Sequence, residues 1–292
     1  MTDAPVPADP RRFVQQAVAA CLDPVLRNAR ELSAGSQDPE HVHQLRVGLR
    51  RLRTALRELP EFNARLDPGW EPVLAHTFRE LGKHRDQALL ASKTGQALWR
   101  AGAPGLEADA AGARSPSPAS LARARPLQQA LKALSLFTVE PPGPDASAFE
   151  GDPLDAVGER LDKLHRQVRK SAKRFAELPA EEQHAVRKRL KRLRYMAEFI
   201  APAWRGSKVS AYFDALKPAQ DALGEHNDEA TALDHFRART PRHPEAWFAV
   251  GWLTARQEVS AEAAARALKK AGKAEPFWKT RPKKLDLSLI HI

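Results

Sequence analysis

Apolar residues recur along this chain at steps of three and four, over stretches of about 12 to 25 residues, which is the period of helices that bury one face. The clearest stretch runs from His43 to Leu59. At 100° per residue, Leu45, Leu49, Leu52, Leu56 and Leu59 align there as one packing seam. A later stretch repeats the plan with Val186, Leu190, Leu193, Ala197 and Ile200. Between them the pattern breaks twice. Ala101 to Ser120 has no apolar period and reads as a flexible connector, and Thr138 to Pro153 is a second Pro/Gly cluster. A helix of about 15 residues around Leu121 to Phe137 is expected between the two breaks. The boundary between two halves falls in this region.

The vocabulary agrees with helices. Ala, Leu, Arg and Glu dominate, Tyr occurs twice and Ile three times, and aromatics make up 7% of the 292 residues. An all-α fold follows. The length accommodates one large or two ordinary domains. The single cysteine, Cys21, excludes an intramolecular disulfide and a Cys-based zinc site, and it fits a reducing, cytoplasmic compartment. Met1 to Pro10 carries Asp3 and Asp9 and lacks the cationic and apolar parts of a signal peptide, so no export is expected. The longest nearly apolar run, Ala246 to Leu253, is far short of the roughly 20 residues that cross a bilayer, so no membrane role is expected. The last residues, Leu287 to Ile292 (LSLIHI), read as the translation of a transposon-end sequencing adapter. They are expected to be an artefact that alters the true C-terminus.

Charge changes the picture. Lys plus Arg total 47 against 36 for Asp plus Glu, a net +11 that makes a polyanion the leading class of partner. The cations are ordered. On the helix at 43–59, His43, Arg46, Arg50, Arg53 and Arg57 form a second stripe about 120° from the leucine seam, and no acid interrupts residues 41 to 57. In the later helix His184, Arg187, Lys191 and Arg194 form the same row, with Glu198 where the last arginine would stand. Lys188, Arg189 and Arg192 add charge on other faces.

These two rows belong to an internal repeat. "HQLRVGLRRLR" from His43 matches "HAVRKRLKRLR" from His184. Upstream, "LDPVLRNAR" from Leu22 matches "LDKLHRQVR" from Leu161, pairing Arg27 with Arg166 and Arg30 with Arg169. Downstream, "LGKHRD" from Leu81 matches "LGEHND" from Leu223. Three matches in one order at a nearly constant offset indicate two copies of one helical unit.

A row of like charges at steps of three and four repels itself by a few tenths of a kcal/mol per pair, so it calls for compensation. Guanidinium forks match phosphate oxygens, and Arg46 to Arg57 spans about 16 Å, a length that suits a polymer better than one phosphate. The alternative is a solvated face, or arginines paired with acids of neighbouring helices. Duplication favours binding, with Arg27, Arg30, Arg166 and Arg169 joining the surface and Lys163, Lys170 and Lys173 extending it. His43 and His184, one turn ahead of the first arginine, either donate to a phosphate or cap the helix. Metal binding is not expected, because His41 and His43 point to different sides and no carboxylate sits at ligand spacing. In the "LG" segments Gly allows close packing or a helix end, and His84, Asp86, His226 and Asp228 read as structural.

The paired "HxxRxxxRRxR" and "HxxRxxxKRxRY" segments, each followed by "LG...D", resemble the CHAD domain, the conserved histidine α-helical domain, over roughly Pro10 to Lys279 with its terminal "EPFWK". The resemblance implies two pseudo-symmetric four-helix bundles, here about 10–137 and 153–279, with basic residues lining a central cavity. It also implies binding of inorganic polyphosphate and association with polyphosphate granules. The matching positions are His43, Arg46, Arg50, Arg51 and Arg53 in the first copy, and His184, Arg187, Lys191, Arg192 and Arg194 in the second. The "ExExK" motif of the CYTH triphosphatase domain that some members carry is not found, so no catalysis and no cofactor are expected. Nucleic acid is the second reading, opposed by the lack of aromatics in the basic stripes. A phosphate-chain hydrolase is the third, opposed by the lack of paired carboxylates near them.

Overall fold

The computed structural model describes residues 9–89, 94–104, 116–141, 149–204 and 206–280, and at 85–89 the backbone alone. The tail at 287–292 and the side chain of Asp86 lie outside the described residues. The fold is all-α, with no strand among the described residues. The helices are α1 (Pro10–Ser33), α2 (Pro39–Glu58), α3 (Glu71–Leu89), α4 (Gly95–Arg100), α5 (Pro118–Arg123), α6 (Arg125–Val139), α7 (Pro153–Ser171), α8 (Ala180–Ile200), α9 (Ser207–Arg239) and α10 (Ala246–Ala271).

An Asp-Pro pair starts three of these helices. Asp9, Asp38 and Asp152 each accept a hydrogen bond from the backbone N–H two residues on, at 2.8–2.9 Å, while Pro10, Pro39 and Pro153 occupy the first helical position. The carboxylate satisfies an orphan donor, and proline costs nothing where no N–H is needed. The helix expected around 121–137 is instead two. Pro126 cannot donate to the Ala122 carbonyl, so the chain turns extended at Ala124, with ψ at 126°, and Gln128 Nε2 takes up that carbonyl at 2.6 Å.

Packing follows the seams. Leu45, Leu49, Leu52, Leu56 and Leu59, and likewise Val186, Leu190, Leu193, Ala197 and Ile200, are all buried. Each such leucine contributes about 1.5–3 kcal/mol on leaving water. Helices α1, α2, α3, α5 and α6 pack together, as do α7, α8, α9 and α10, and the two sets meet where α2 lies against α8. One apolar core runs through both sets, from Phe13 on α1 to Trp278. A smaller cluster at the far end of the α9–α10 hairpin joins Leu98 of α4 to Phe236 and Leu253. The α2–α8 contact is what brings the two repeated segments side by side.

Candidate functional site: a basic groove between α2 and α8

Because the leucine seam of α2 faces the core, its cationic stripe is turned sideways, toward α3 and α8. Two adjoining cavities of about 500 and 710 Å³ open there. They share Arg50, Phe78, His184, Arg187 and Lys188, so they form one continuous groove with α2 and α3 on one wall and α8 and α9 on the other.

The first wall is tightly built. Arg46 is only 9% exposed, and its Nη1 donates to the Phe78 carbonyl at 2.6 Å. The guanidinium groups of Arg46, Arg50 and Arg53 lie 4.4, 4.8 and 5.2 Å from the Phe78 ring centroid, inside cation–π range. Gly82 makes room for this arrangement, since a Cβ there would stand 2.7 Å from Arg46 Nη1. Arg53 Nε donates to Glu71 at 2.8 Å, and Arg57 bonds the same carboxylate. Burial opposes ionisation of Glu71, but the Arg53 hydrogen bond and the Arg53 and Arg57 charges outweigh it, so its carboxyl titrates below the usual range.

The second wall is more open. His184, Arg187, Lys188 and Lys191 project from α8, with His184 and Lys188 exposed. His184 Nδ1 lies 2.9 Å from Asn227 Oδ1, which places the proton of the neutral ring on Nδ1 and leaves Nε2 able to gain one. Burial, then Lys188, Arg187 and Arg50, push the His184 pKa below the ordinary imidazole value, against the pull of the Asn227 bond. Lys188, Arg187 and Arg50 around the ring add to this shift, as cations sharing one groove disfavour a further positive charge. Behind this wall His226 is buried, held between Ser260 Oγ at 2.9 Å and Gln183 Oε1 at 2.8 Å.

The structure divides the residues singled out from the sequence. Arg46, Arg50, Arg53, His184, Arg187, Lys191 and Arg192 line the groove. Arg51 and Arg194 lie at the seam between the sets and share Glu198, at 3.0 and 2.9 Å. Arg192 is also tied across the seam, to buried Glu58 at 2.6 Å. These pairs explain Glu198: it replaces the last cation of the second row in order to bind two arginines. His43 is exposed near the start of α2 and does not line the groove. Arg27 and Arg30 are exposed on α1, Arg27 paired with Asp23, and Lys173 is exposed just after α7. Arg166 and Arg169 line a different pocket, so the arginines expected from the preceding helices do not join the groove, although Leu164 and Gln167 of α7 do line it. Conversely, Lys188 and Arg189, read as lying on other faces, do line it, as does Arg57. Phe78 was missed altogether. Its one sequence cue is its place a helical turn before Gly82, on the same α3 face. Among the described residues no three His, Cys, Asp or Glu side chains gather as a metal site, and no described helix is long and apolar enough to cross a membrane.

An all-helical chain with two duplicated cationic segments facing one groove defines a class. The chain belongs to the CHAD domain family, whose model matches residues 16–237. It is similar to the crystal structure of the CHAD domain from the plant Ricinus communis, with 26% identity and a TM-score of 0.70, over 91% of this chain and 93% of that one. It also shares its fold with PptA from Streptomyces chartreusis, at 22% identity and a TM-score of 0.60, over 92% of this chain and 99% of that one. No curated protein matches the chain.

Proposed function

We propose that this protein is a non-enzymatic binder of inorganic polyphosphate, held in the groove between α2 and α8, and that it associates through it with polyphosphate granules in the cytoplasm. The observation that carries the reading is that Arg46 and Arg50 from one repeat face His184, Arg187, Lys188 and Lys191 from the other across a single groove. Phosphate oxygens complement such donors on both sides at once, and a linear chain meets several in succession. Affinity then comes from charge-assisted hydrogen bonds and counterion release. With six phosphates engaged it falls by about a thousandfold between 50 and 200 mM salt.

The test replaces Arg50, Arg187, Lys188 and Lys191 together with Glu. These positions sit off the leucine seams, so helix content by circular dichroism survives. Retention of long-chain polyphosphate is lost. Normal retention by a folded variant would falsify the assignment of this groove. Single-stranded nucleic acid is the second reading, favoured by the Phe78 ring in the groove. That ring is already faced by three guanidinium groups, so a base gains no free platform. Competition by single-stranded RNA at matched phosphate concentration separates the two: polyphosphate displaces RNA, and RNA does not displace polyphosphate.

A further inference from the structure

Arg166 and Arg169 do not face the groove, yet they are not scattered. With Lys273 and Lys279 they line a second pocket of about 480 Å³, where the end of α10 meets α7. Asp162 and Glu275 also line it, which leaves the cations in excess. Its floor is built. Buried His165 joins Tyr212 Oη at 3.0 Å to the Gly272 carbonyl at 3.2 Å. Gly272 lets α10 approach so closely that a Cβ there would meet Arg169 Cα at 3.3 Å. Lys279 reaches Asp162 at 3.9 Å, whereas Arg166, Arg169 and Lys273 make no ion pair among the described residues.

The two sites share no residue, but α7 connects them. Leu164 and Gln167 face the groove, and Arg169 faces the second pocket. At 100° per residue, Lys163, Lys170 and Arg166 fall in that order between Gln167 and Arg169. All three are exposed. Around the axis the arc is about 160°, or about 15 Å at the surface of a helix 10–12 Å across, and along the axis Lys163 and Lys170 stand about 10 Å apart, so the three cations form a band across α7.

We propose that a polyphosphate chain longer than the groove continues over α7 along Lys163, Lys170 and Arg166 and anchors in the pocket of Arg169 and Lys273. The inference rests on the groove reading above, and it assigns that site a preference for long chains. A chain too short to leave the groove gains nothing from α7, while a longer one gains a second intramolecular attachment at high effective concentration.

The experiment titrates polyphosphate of two defined lengths, one no longer than the groove and one several times longer, against the full chain and the variant R166E/R169E/K273E. Long-chain affinity falls about tenfold and its salt slope by about two, at roughly 0.7 per lost contact, while short-chain affinity stays within about twofold. The variant K163E/K170E, altered only at exposed positions on the path, reproduces the length-selective loss without touching the pocket. Unchanged long-chain affinity in both variants, or equal losses at both lengths, overturns the second station and leaves the groove reading standing. Wild-type protein that retains neither length overturns both.

Discussion

The two similar cationic segments of α2 and α8 stand in different mechanical states. On α2, Gly48 lets the helix lie so close to α1 that a Cβ would stand 2.6 Å from Val25 Cγ2. Arg46 is buried against the Phe78 carbonyl, and Arg53 and Arg57 are held by Glu71. On α8 the position matching Gly48 is Arg189, which reaches sideways to Ser171 Oγ at 3.0 Å. The glycine matching Gly82 is Gly224, and a Cβ there would meet nothing within 4 Å. The same spacing of cations thus yields a braced wall in one copy and a more solvated one in the other. A braced wall presents donors without further loss of side-chain freedom, while an exposed lysine such as Lys188 keeps the rotamers to adapt to a ligand of variable shape.

That contrast breaks first at the helix contacts. Gly48→Leu drives a side chain into Val25 and destabilises the protein by about 3 kcal/mol, whereas the matched Arg189→Leu costs no more than about 1 kcal/mol through one lost hydrogen bond. Denaturant midpoints of the two variants measure this, and equal costs would mean that the copies are packed alike. A smaller effect, of opposite sign in the two copies, is expected at the repeated "LG" segments. Gly82→Ala pushes Arg46 off the Phe78 carbonyl, an unmet bond worth about 1–3 kcal/mol that outweighs the helix gain. Gly224→Ala keeps the gain, up to about 1 kcal/mol. Thermal melts that shift in the same direction would remove the asymmetry.

The smallest effect is on pH. The folded-state pKa of His165, His184 and His226 lies below the ordinary imidazole value, with burial as the leading cause each time. The unfolded chain therefore binds more protons, and the free protein loses stability as pH falls below about 6.5. Ligand binding at His184 runs the other way. A polyanion favours the charged ring, so affinity rises as pH falls through the bound-state pKa and levels off below the free-state one, a gain of less than about tenfold. Calorimetry in buffers of different ionisation enthalpy detects the proton taken up, and His184→Gln abolishes it. Uptake that persists in that variant would move the effect to another group.

Much of this was legible along the chain. The leucine seams, the repeat, the all-α class and the rows starting at Arg46 and Arg187 follow from residue type and a period of 3.6, which are local properties. Which cations stay available was not legible, because it depends on acids from distant elements: Glu71 on α3 neutralises Arg53, Glu198 binds Arg51 across the seam, and Glu58 takes Arg192. Phe78 was hidden for the same reason, as its ring meets the arginines only because α3 folds back on α2.

Alone, the sequence determined that helices form, which stripe of each is apolar, and that two cationic segments exist, since propensity and amphipathic period are set by neighbours within a few residues. Only the tertiary structure decided that α2 and α8 lie together, that their cations share a groove, and that Arg166 and Arg169 turn to another pocket. Those outcomes depend on which apolar stripe packs against which, and on desolvation and ion pairing between residues far apart in the chain.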